Sequence, residues 1–99
     1  MKSIKNYVDA IDDEIEGAKE YAEKYVESKA KGDMSAASKF KEMSGDELKH
    51  AMYLHDMVTK EIEQISKVYT PPIEMEKKWE ESHREYVEKV ALVRQMLAL

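Results

Sequence analysis

Only two short segments of this chain gather residues that stop a helix. The first is Ala30-Lys31-Gly32-Asp33, where Gly32 suits a helix C-cap and Asp33 or Ser35 an N-cap. The second is Tyr69-Thr70-Pro71-Pro72, where Thr70 can cap the next helix and proline is well placed in a first turn. The spacing predicts helices at about 3–31, 34–68 and 72–97. Each carries one apolar face at helical period. Ile4, Tyr7, Val8, Ile11, Ile15, Ala18, Tyr21, Ala22 and Tyr25 form the first. Phe40, Met43, Ala51, Leu54, Val58, Ile62 and Ile65 form the second. Met75, Trp79, Tyr86, Val90, Val93 and Leu97 form the third. The expected class is all-α, a long antiparallel helical hairpin plus a third helix, with residues 1–99 as one domain.

Length then limits how these faces are buried. At 1.5 Å per residue the second helix alone spans roughly 50 Å. Three such rods enclose little interior, so the stripes are expected to pack against a second copy, two helices from each chain making a four-helix bundle.

Composition narrows the chemistry. The chain has no cysteine, which excludes disulfides, thiolate metal sites and cysteine nucleophiles. Any metal site must use carboxylates and imidazoles, ligands that suit iron, manganese or zinc. A net charge of −5 argues against nucleic acid as a main partner. No apolar run approaches membrane-spanning length, and the N-terminus lacks the apolar core of a signal peptide, so the expected compartment is the cytoplasm. No Gly-rich phosphate loop or Ser-His-Asp set is present.

One acid breaks the pattern of the first helix. Asp9, Asp12, Glu16, Glu20, Glu23 and Glu27 fall on its polar face, whereas Glu14 projects among the apolar residues. A carboxylate there costs several kcal/mol unless something pairs with it. In the second helix Glu47-Leu48-Lys49-His50 repeats the anomaly. At 100° per residue Glu47 lies near the centre of the apolar stripe and His50 roughly 60° to one side. Glu-x-x-His places two side chains on adjacent turns of one face, where both reach one ion. Two readings stand. In one, Glu14, Glu47 and His50 hold a divalent cation. In the other, Glu14 is a boundary residue whose carboxylate reaches water past Tyr21, and His50 donates to a backbone carbonyl. Gly17 and Gly45, each within three residues of a candidate ligand, have no clear role.

Further residues lie near this set in the pattern. His83, between Trp79 and Tyr86, is a fourth ligand, an orienter of a carboxylate or a core histidine. Glu80 (in a second Glu-x-x-His, Glu80 to His83) and Glu76 could reach the site or remain solvated. Tyr21 and Tyr25 are candidates for hydrogen bonding or redox beside Glu14, with core packing the simpler role. His55 reads as a flanking structural residue.

Over residues 4–66 the chain resembles the ferritin-like superfamily of carboxylate-bridged di-iron proteins, with Glu14 at the first-helix position and Glu47 and His50 at the Glu-x-x-His. Full-length members repeat the pattern on a second helix pair. This chain has one half, so it looks like the short members, encapsulated ferritins and small bacterial or prophage-encoded relatives, which complete the site across a dimer. The resemblance implies a di-iron centre, with Glu47 bridging and Glu14 and His50 terminal. It also implies Fe(II) oxidation, and a homodimer or higher homo-oligomer, with an encapsulating or other protein as a further partner. Zinc or manganese on the same ligands is the alternative metal. The alternative function is a non-catalytic helical dimerisation or adaptor protein whose interface tolerates these polar residues to fix register.

Overall fold

The computed structural model describes residues 2–68, 70 and 72–99. Three helices account for almost all of them: α1 (Lys2–Ala30), α2 (Met34–Val68) and α3 (Ile73–Leu97). They lie side by side in a rod of 55 × 17 × 17 Å.

The first link ends one helix and begins the next within three residues. Gly32 adopts φ 81°, the left-handed region that a side chain would resist. This lets Gly32 N donate to Lys29 O at 3.0 Å and Asp33 N to Ser28 O at 2.9 Å, the paired bonds of a Schellman C-cap. Asp33 then turns its Oδ1 to accept from Ala36 N at 3.1 Å and so caps α2. Of the two candidates for that cap, Asp33 and Ser35, the chain uses Asp33. The second link departs from expectation. Pro72, not Thr70, occupies the N-cap of α3, without a side-chain bond. Its carbonyl accepts from Met75 N and Glu76 N at 3.0 and 3.1 Å. Proline has no N–H to leave unpaired, and Glu74 and Glu76 place negative charge at the exposed donors. Tyr69 and Pro71 lie outside the described residues.

The tight link makes α1 and α2 an antiparallel pair, packed along most of their length. Ile11, Ile15, Ala18 and Ala22 of α1 are buried against Leu48, Ala51 and Val58 of α2. Small residues at mid-seam bring the backbones close. There Ser44, fully buried, donates its hydroxyl to Ala18 O at 2.7 Å. This bond fixes register as well as satisfying a buried polar group. Val90 and Val93 of α3 close the core from the other side. Lys29 Nζ donates to Leu99 O, and Asp12 lies within the field of Lys89 and Glu85, so α3 runs parallel to α1. Met43 departs from the expected core and is 39% exposed, because two neighbouring helices cannot cover every stripe of α2.

Candidate metal centre

The register set by Ser44 and Ala18 carries two other residues into contact. Glu14 lies one turn before Ala18 on α1, and Glu47 lies three residues beyond Ser44 on the antiparallel α2. His50 stands one turn further along α2. One ligand atom from each of Glu14, Glu47 and His50 falls within 4.8 Å of the other two. His50 Nδ1 is 3.5 Å from Glu14 Oε2. That oxygen is buried and has no hydrogen-bond partner.

Electrostatics describe a site short of positive charge. The Glu47 carboxyl is raised above its ordinary value, first by its hydrogen bond to Glu14, then by burial and by the Glu14 charge. His50 opposes the rise and Asp46 adds to it. A like charge nearby makes the ionised form of Glu47 harder to hold.

Gly17 accounts for the space these groups occupy. A Cβ built on Gly17 would stand 3.0 Å from Glu47 Oε2. The missing side chain on α1 is therefore where the Glu47 carboxylate sits. Gly45 has no such neighbour, with nothing within 4 Å of its Cβ position.

The three groups are less enclosed than the sequence suggested. Side-chain exposure is 29% for Glu14 and 55% for His50, and Glu47 is half-buried. The reason is geometric: the donors lie at the lateral edge of the α1–α2 seam, and α3 covers the other edge. His55, which meets α3, is five residues beyond His50 and so about 140° round α2.

The other candidates lie elsewhere. Glu76 and Glu80 are exposed on α3. His83 is also exposed, which sets aside the core-histidine reading among its three, and its Nδ1 is 2.8 Å from His55 Nε2. Tyr21 stacks on Phe40 at 6.3 Å, beneath Lys24. Tyr25 is buried between Lys29 and Lys41. These tyrosines lie two and three turns from Glu14, roughly 10 and 16 Å along the axis, and serve packing. Sequence reasoning missed Ser44, the role of Gly17 and the His55 contact. A lone serine or glycine inside a helix carries no signal until the facing helix is in register.

The donor set fits a divalent cation on these observations. An orphaned buried carboxylate oxygen, a second carboxylate pushed towards protonation and an imidazole converge, and a glycine clears room for them. Two oxygens and one nitrogen suit iron, manganese or zinc. Comparison with protein-family models, curated proteins and solved structures gave no significant match to this chain.

Proposed function

We propose that the chain is a ferritin-like di-iron carboxylate protein, which binds and oxidises Fe(II) at a site completed by two copies. The carrying observation is the convergence of Glu14, Glu47 and His50, with Glu14 Oε2 buried, without a hydrogen bond and faced by the His50 imidazole at 3.5 Å. Three protein donors leave an ion under-coordinated, and a second copy doubles the set to four carboxylates and two imidazoles. The surface beside the donors supports a covering partner. Met43 and Met57 lie seven residues either side of His50 on α2 and are 39% and 48% exposed. That spacing keeps all three on one helix face.

Within such a centre Glu14 and Glu47 would supply oxygen ligands and His50 a neutral nitrogen. The Glu47 carboxyl, held above its ordinary value beside Glu14, would give up its proton to the cation, so loading would release protons and weaken in acid. When bound, paired ferrous ions supply electrons for reduction of dioxygen or peroxide. Gly17 keeps the Glu47 carboxylate free to take its place.

The test is aerobic addition of Fe(II). The parent is expected to develop near-ultraviolet ferric absorbance faster than buffer, and Glu47→Ala to reduce the rate to that of buffer. Equal rates in parent and variant would sink the proposal. The exposed Met43, Tyr53 and Met57 also fit an adaptor that pairs without metal. Such a protein would keep its helicity and self-association in Glu47→Ala and show no ferrous oxidation in either form.

A further inference from the structure

The second Glu-x-x-His of the chain ends in a different place from the first. His83 on α3 reaches across to His55 on α2, with His83 Nδ1 and His55 Nε2 2.8 Å apart. Aromatic rings hold the pair. His55 stacks on Tyr86 at 4.2 Å and 13°, and the Trp79 ring lies 5.2 Å from His55 and 6.2 Å from His83. The contact is a hydrogen bond between imidazoles, and it brings one ring nitrogen from each of two helices to a common point.

We propose that His55 and His83 form a second divalent transition-metal site, separate from the Glu14 centre, which clasps α3 onto α2. The ligand class is a borderline ion that favours imidazole nitrogen. Without an ion the two nitrogens share a hydrogen bond at 2.8 Å, and a cation between them would replace that proton. Cu(II), which binds nitrogen donors more tightly than the other first-row divalent ions, is the probe. Asp56 contributes negative charge at His55, and Arg94 acts in the opposite sense at Tyr86. Glu80 is exposed one turn before His83, at the i, i+3 spacing from which a rotamer change can add a carboxylate.

Trp79 is the single tryptophan and adjoins both imidazoles, so its fluorescence reports the site. Cu(II) titrated into the full chain should quench Trp79 saturably, at one ion per chain in the Glu14→Gln background, where the other centre is disabled. The frozen sample should show coupling to two nitrogens in its electron paramagnetic resonance spectrum. His83→Gln, a change at an exposed residue, should remove the saturable quench and the two-nitrogen pattern. Glu14→Gln, which disables the other centre, should leave both. Coupling to fewer than two nitrogens in the parent, or quenching that survives His83→Gln, would overturn the proposal. Because Glu14→Gln separates the two centres, failure here is distinguishable from failure of Fe(II) oxidation.

Discussion

Glycine at position 17 is the residue that ties local structure to the candidate site. Inside an exposed helix, Gly→Ala stabilises by about 1 kcal/mol through propensity. Here the added methyl would meet Glu47 Oε2 at 3.0 Å. The carboxylate is the far end of a flexible side chain, so it can move aside at little cost to the fold. Gly17→Ala is therefore expected to hold or raise Tm in the metal-free protein while weakening Fe(II) binding, read by calorimetry on the same preparation. Binding equal to that of the parent would remove Gly17 from the site. The sequence shows this glycine but not its purpose. Glu14 and Glu47 are visible because acids on an apolar stripe violate a pattern. Gly17 violates only propensity, and its reason lies on another helix.

The helices show a different balance between what sequence encodes and what packing decides. Their bounds were legible to within a residue or two, since Gly32 and Asp33 stop and start helices by local bonding alone. The cap of α3 was less so, because Thr70 competes with Pro72 and the backbone decides between them. The partner of each α3 residue was not legible at all. His83 has helical periodicity with Trp79 and Tyr86 but says nothing of His55 until α3 is laid parallel to α1. This contact gives α3 a pH dependence. The lowered His55 value means the unfolded or detached state binds its proton first. Stability from this contact is full above the ordinary value of 6.5 and falls as pH drops through that value to the lower folded one. Glu47, with its raised value, has the opposite sign: its contribution is full below the ordinary 4.5 and lost as pH rises through the higher folded value. The measurement is therefore made in Glu47→Gln. Trp79 fluorescence and Tm in that protein are expected to change together between pH 8 and pH 5. A flat profile that matches His55→Gln would show that α3 docks without the imidazole.

The molecule as a whole is a thin rod with one edge of its hairpin covered by α3 and the other open. All-α architecture, with three helices and an antiparallel hairpin, followed from the two breaks and the apolar stripes. The extent of covering did not, because a stripe read on one helix is silent about how much of it its neighbours reach. The exposed Met43, His50 and Met57 stripe leads to a prediction at this scale. Sedimentation equilibrium is expected to show self-association that strengthens with Fe(II), and the gain is expected to vanish in His50→Ala. A parent that stays monomeric with iron and still oxidises it would show that one copy suffices.

The three-residue span from Lys31 to Asp33 joins the two ligand-bearing helices covalently. Dilution cannot part Glu14 from Glu47, since the tether holds them at a fixed effective concentration. If this centre takes up iron as proposed, capture of a first ion would be unimolecular in protein and would proceed as readily in a scarce population as in an abundant one. Only the later meeting of two loaded chains would sense how many there are, so abundance would govern turnover and leave scavenging untouched.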